Sequence, residues 1–63
     1  MNAEKLVEHT YGPHIYMKLK LDDEEYEVDN YAGVDCSWEH YKTTADSNPE
    51  LRNKVIEAFK KLY

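Results

Sequence analysis

From His14 onward the chain alternates strictly: Ile15, Met17, Leu19 and Leu21 fall on one side, with Tyr16, Lys18 and Lys20 on the other. A period of two marks a half-buried strand, so residues 14–21 are predicted as one. The alternation resumes after Asp22-Asp23-Glu24-Glu25, with Tyr26 and Val28 inward and Glu27, Asp29 and Tyr31 outward. This predicts a second strand over 26–31. If all four acids form the connecting loop, Leu21 faces Tyr26 and Leu19 faces Val28 on the core side. Lys20 then meets Glu27, Lys18 meets Asp29 and Tyr16 meets Tyr31 on the other side, a complementary set.

Residues 34–41 alternate again and predict a third strand. Val34, Cys36, Trp38 and His40 lie on one face, and Asp35, Ser37, Glu39 and Tyr41 on the other. A helix would instead group Val34, Trp38 and Tyr41. Near the C-terminus the period changes to 3.6. Ser47-Asn48-Pro49-Glu50 combines a capping-box pattern with a proline in the first turn, which opens a helix over 48–62. Leu51, Val55, Ala58, Phe59 and Leu62 make its apolar stripe, about 100° wide, and Ile56 and Tyr63, just outside it, either widen the buried face or form an apolar shoulder for a second chain. At the other end Asn2 can cap a short helix over 2–11, with Ala3, Leu6, Val7 and Thr10 on one side and Gly12-Pro13 as its stop, although a strand is also legal there.

These elements predict a small α+β domain spanning residues 1–63. A three-stranded antiparallel sheet (14–21, 26–31, 34–41) is packed by the C-terminal helix and the short N-terminal one, over Ile15, Met17, Leu19, Leu21, Tyr26, Val28 and Trp38. At 63 residues the chain is near the lower limit for a core without staples. Its hydrophobic content of 41%, with six tyrosines, one tryptophan and one phenylalanine, is nevertheless too high for a disordered acidic tail. Cys36 is the lone cysteine, which excludes an internal disulfide framework. No apolar run reaches signal-peptide or membrane-spanning length. The expectation is a soluble cytoplasmic protein with no membrane association.

Charge changes the picture. From Asp22 to Glu50 ten carboxylates face the single base Lys42, a net of −9 in a chain whose total is −5. Such a segment attracts basic surfaces and repels nucleic acid and anionic membrane. Asp22, Asp23, Glu24 and Glu25 are expected at the hairpin tip, and Asp35, Glu39 and Tyr41 project from one strand face. Carboxylates at about 6.8 Å per two residues can stand in for phosphates in a basic groove. Tyrosines beside them add rigid contact area.

Other chemistry is poorly supported. His9, His14, Cys36 and His40 lack a zinc spacing, and on a strand Cys36 and His40 are about 13 Å apart. Asp35 beside Cys36 is the wrong charge for an activated thiolate. The acidic turn lacks the spacing and glycine of a calcium loop, and Gly12 and Gly33 make no phosphate-binding motif. No catalytic constellation, metal site or cofactor is expected, and no direct nucleic-acid binding.

The expected function is therefore a non-enzymatic interaction module, an inhibitor that docks its acidic surface into the nucleic-acid-binding site of a larger protein. Small acidic folds of this kind occur among viral inhibitors of host enzymes, an analogy of size and charge alone. The alternative is a structural or assembly component, homodimeric or otherwise, associating through Tyr16, Tyr31, Ile56 and Tyr63.

Overall fold

A computed structural model describes residues 2–32 and 39–63. Among these residues the chain forms β1 (Ala3–Tyr11), β2 (His14–Leu21), β3 (Glu24–Ala32), β4 (Glu39–Thr43) and α1 (Pro49–Leu62). The strands pair as an antiparallel meander in the order β1-β2-β3-β4, and α1 lies across one face in contact with all four. The α+β class is as expected. The sheet has four strands rather than three, and residues 3–11 are strand, not helix. The expected third strand overlaps β4 at 39–41, while its remainder and Trp38 lie outside the described residues.

The N-terminal difference turns on Gly12-Pro13. Gly12 has φ +59° and is followed by a residue whose ring holds φ near −65°, the pattern of a two-residue type II′ hairpin turn. Tyr11 and His14 flank it as partners. A glycine-proline pair can stop a helix or reverse a strand. Here a single short helix, marginal in water by itself, loses to a nine-residue strand whose ladder with β2 pairs the backbone groups that the two strands turn toward each other. The ladder contains one irregularity: Leu6 is inserted between Lys5, opposite Leu19, and Val7, opposite Lys18, as a β-bulge.

The β2–β3 turn is tighter than expected. Asp22 and Asp23 alone make it, with φ 50° and 73°, the double positive φ of a type I′ turn. Glu24 and Glu25 are already in the ladder, opposite Leu21 and Lys20. Leu19 therefore faces Tyr26, Met17 faces Val28, Lys18 faces Glu27 and His14 faces Tyr31. The pairing differs by two residues from the expected one. An even slip leaves every side chain on its face, so the core is the one expected.

That core consists of Met17, Leu19, Leu21 and Val28 from the sheet, Ala45 from the β4–α1 connection, and Val55, Ala58 and Phe59 from α1. Ile15, Tyr26, Tyr41, Leu51 and Leu62 are packed against it. Each large apolar side chain buried this way stabilises by about 1.5–3 kcal/mol. Ile56 is buried, so it widens the covered face of α1, one of its two expected roles, and does not form a shoulder for a second chain.

Helix α1 begins one residue later than the capping box suggests. Asn48 is the N-cap, with φ −124° and ψ 97°, and its Oδ1 accepts from the Leu51 backbone N–H at 3.3 Å. Pro49 explains this, because a residue preceding proline is disfavoured in helical conformation and Asn48 cannot serve as the first helical residue. Ahead of the cap, Asp46 Oδ1 accepts from the Thr43 N–H at 3.0 Å, the Thr43 hydroxyl at 2.8 Å and Arg52 Nε at 3.0 Å. One carboxylate thus ties the end of β4 to the first turn of α1. The Thr43 hydrogen bond above all, with help from Arg52, holds the Asp46 pKa below its ordinary value against the opposing effect of desolvation.

Candidate functional site

Alternation along β2 sends Ile15, Met17, Leu19 and Leu21 toward α1 and leaves His14, Tyr16, Lys18 and Lys20 on the opposite face. Their partners share that face: His9 opposite Tyr16 and Tyr11 opposite His14 on β1, and Glu25, Glu27, Asp29 and Tyr31 on β3. From β4, His40 lies opposite Tyr31 and Lys42 opposite Asp29. Two features of different chemistry meet on this face.

The first is acidic. Asp22 and Asp23 form the exposed turn at one end of the sheet, and on β3 Glu24, opposite Leu21 on the helix side, is followed by Glu25, opposite Lys20 on the open face. The turn is held in place, since Asp22 N–H donates to the Asn2 carbonyl at 3.0 Å and Asp22 Oδ1 accepts from the Asn2 N–H at 3.3 Å. Beyond it Glu25, Glu27 and Asp29 continue along the face at every second residue, about 6.8 Å apart, twice the 3.4 Å axial interval per strand between DNA phosphates. Each has a partner that orients it. Lys18 Nζ lies 3.2 Å from Glu25, the Tyr16 hydroxyl donates to Glu27 at 3.0 Å, and His14 Nε2 lies 2.9 Å from Asp29. Desolvation, followed by the bond to Glu27 and the charges of Glu27 and Asp29, raises the Tyr16 pKa, so its hydroxyl stays a donor through the neutral range. The tip carboxylates are the less compensated part of the run.

The second feature is aromatic. His14 and Tyr31 stack with centroids 4.2 Å apart and planes 8° apart. Tyr11 lies 5.8 Å from His14 and His40 lies 6.4 Å from Tyr31, so four rings run across all four strands. His9 joins Tyr11 and Tyr16 at 6.0 and 6.1 Å. Tyr11 is 61% exposed and Tyr31 38% exposed. All three histidines of the chain stand in this cluster.

The expected site residues are therefore divided. Asp22, Asp23, Glu24 and Glu25 are together at the tip. Glu39 and Tyr41 are at the far end of the sheet, where Ala32 pairs with Glu39, and Tyr41 turns toward the helix to meet the edge of Phe59 at 5.9 Å. Its hydroxyl donates to Glu39 at 3.4 Å, and desolvation together with the Glu39 charge raises its pKa. These two do not belong to the tip because β3 and β4 pair at the end opposite the turn. Asp35 lies outside the described residues. Tyr16 and Tyr31 share the open face as expected but are not paired, since the tighter turn places Asp29 opposite Tyr16. Tyr63 is exposed and stacks on Phe59 at 5.9 Å, whereas Ile56 beside it is buried and unavailable to a partner.

Near Tyr63 a cleft of about 380 Å³ opens between the end of α1 and the sheet, lined by Ile15, Asn30, Glu39, Tyr41, Phe59, Lys60 and Tyr63. The Asn30 amide nitrogen is buried there with no hydrogen-bond partner among the described residues. Reading β1 as a helix hid His9 and Tyr11 from the sequence reading. Their alternation with Val7 was the signal, once Gly12-Pro13 is taken as a hairpin turn. Among the described residues no cluster of three His, Cys, Asp or Glu side chains is placed to hold a metal ion, and no helix is long and apolar enough to cross a membrane. No protein-family model, curated protein or solved structure matches the chain.

Proposed function

We propose that this chain is a small acidic interaction module that docks the β2–β3 tip and the adjoining carboxylate row into a basic, nucleic-acid-binding groove of a larger protein, and so blocks it. The observation that carries this reading is the continuity of the exposed Asp22-Asp23 turn with Glu25, Glu27 and Asp29 along the open face of the sheet, with Glu24 at the tip on the helix side. A groove that neutralises phosphates with lysine and arginine meets carboxylates here at twice the axial interval of the phosphates of one DNA strand, so its cations find an anion at every second position. Preorganisation favours binding, because the turn is fixed to Asn2 and the row is held by Lys18, Tyr16 and His14. The module acts by occupancy and needs no cofactor.

The test is binding measured against salt and against competing duplex DNA. Charge docking weakens steeply as ionic strength rises, and duplex DNA displaces the module. Binding indifferent to both contradicts the proposal.

A second reading, assembly through aromatic contacts, is favoured by the ring cluster of Tyr11, His14, Tyr31 and His40. Association through that cluster strengthens or stays level with salt, and Tyr31→Ala weakens it while tip variants do not.

A further inference from the structure

We propose that the outer edge of β1 is a self-complementary dimerisation strand, on which a second copy of this chain pairs antiparallel to extend the sheet to eight strands. In the meander β1 is an end strand, with one side of its backbone bonded to β2 and the other free of strand partners among the described residues. It is nine residues long, and its most apolar residues, Leu6 and Val7, are each 39% exposed. A long edge with apolar side chains is a template for pairing.

What selects a second copy is the order of the residues around the bulge. Folding the β1 sequence about the point between Leu6 and Val7 sets Leu6 against Val7, Lys5 against Glu8, Glu4 against His9 and Ala3 against Thr10. Both copies make each contact, so an apolar centre is flanked on either side by opposite charges. In an unbroken strand this register is forbidden, because it joins odd to even positions and hence opposite faces. The inserted Leu6 removes the conflict. Before it, Ala3 and Lys5 share the helix-side face with Leu21 and Leu19, and Glu4 is on the open face with Lys20. After it, Glu8 and Thr10 share the helix side with Met17 and Ile15, and Val7 and His9 are on the open side with Lys18 and Tyr16. Lys5 and Glu8, already 3.0 Å apart within one chain, thus lie on the same side of the sheet as their counterparts across the dyad. The two-fold axis is perpendicular to the sheet. Both helices lie on one side, and both open faces join into one surface with an acidic tip at each end.

Bulges and lysines on edge strands also serve to prevent pairing, and that role predicts a monomer. Sedimentation across concentration, with reductant present so that Cys36 does not cross-link copies, separates the two. The wild-type chain is expected to dimerise reversibly, with exchange at β1 amides slowing as concentration rises. Lys5→Glu leaves only carboxylates at the paired positions and Glu8→Lys only ammonium groups, so each variant alone should dimerise at least about tenfold more weakly. Mixed together, the two variants should form a heterodimer as tight as the wild type. A wild-type chain that stays monomeric with concentration-independent β1 exchange, variants that dimerise as well as the wild type, or a mixture that fails to pair would overturn the proposal.

Discussion

The His14 ring lies flat against Tyr31, 4.2 Å between centroids and 8° between planes, while its Nε2 meets Asp29 Oδ1 at 2.9 Å. One histidine therefore bridges the aromatic and the acidic parts of the open face. Two β3 residues on the same side, Asp29 and Tyr31, hold it at its edge and at its plane. Removing the stacking partner by Tyr31→Ala is expected to cost about 0.5–1.5 kcal/mol in urea unfolding, and Tyr31→Phe very little.

The turn offers a stabilising change. Asp22 and Asp23 both have positive φ, a conformation aspartate tolerates less well than glycine. Asp23→Gly is expected to raise stability by about 1 kcal/mol, with Asp22 keeping its contacts to Asn2. The unfolding midpoint in urea checks it, and a loss of stability would mean the turn needs the Asp23 side chain.

At the start of α1, Asn48→Ala should destabilise by about 1 kcal/mol, since the Leu51 N–H loses its acceptor, and Asn48→Asp should not. Thermal unfolding followed by circular dichroism distinguishes them.

Asp46 sets a pH dependence. Its carboxylate is favoured in the folded state by Thr43 first and Arg52 next, so its folded pKa lies below the ordinary 3.8. A lowered pKa means the unfolded chain binds the proton more readily, and stability from this group is present above the unfolded value and lost as pH falls through the folded one. The stability difference between wild type and Asp46→Asn is therefore expected to be full at neutral pH and to shrink below about pH 4. A difference that stays constant with pH would remove the carboxylate charge from the account.

Much of the fold was legible because period-two alternation survives changes of register. Ile15, Met17, Leu19, Leu21, Tyr26 and Val28 face the core whether the hairpin closes through four residues or two. The turn itself was not, since Asp-Asp carries a weaker type I′ signal than Asn-Gly and the four acids read as one loop. The stripe of α1 was legible from Leu51 to Leu62, but Ile56 stands at its margin, where the 3.6 period alone leaves burial and exposure open. β1 was hidden by the ambiguity of Gly12-Pro13, and with it His9, Tyr11 and the aromatic cluster. The acidic tip, by contrast, needed only composition and the position of one turn.

The central claim, acidic docking, is tested most directly by affinity capture from a nuclease-treated lysate with the wild-type chain and a tip variant side by side. The variant combines Asp22→Asn and Asp23→Gly, which keep the type I′ turn, with Glu24→Lys and Glu25→Lys, which reverse the charge beyond it. The account predicts that the wild type retains a basic nucleic-acid-binding protein that rising salt or added duplex DNA releases, and that the folded variant does not retain it. Equal retention by both chains, or release indifferent to salt and to DNA, would contradict it.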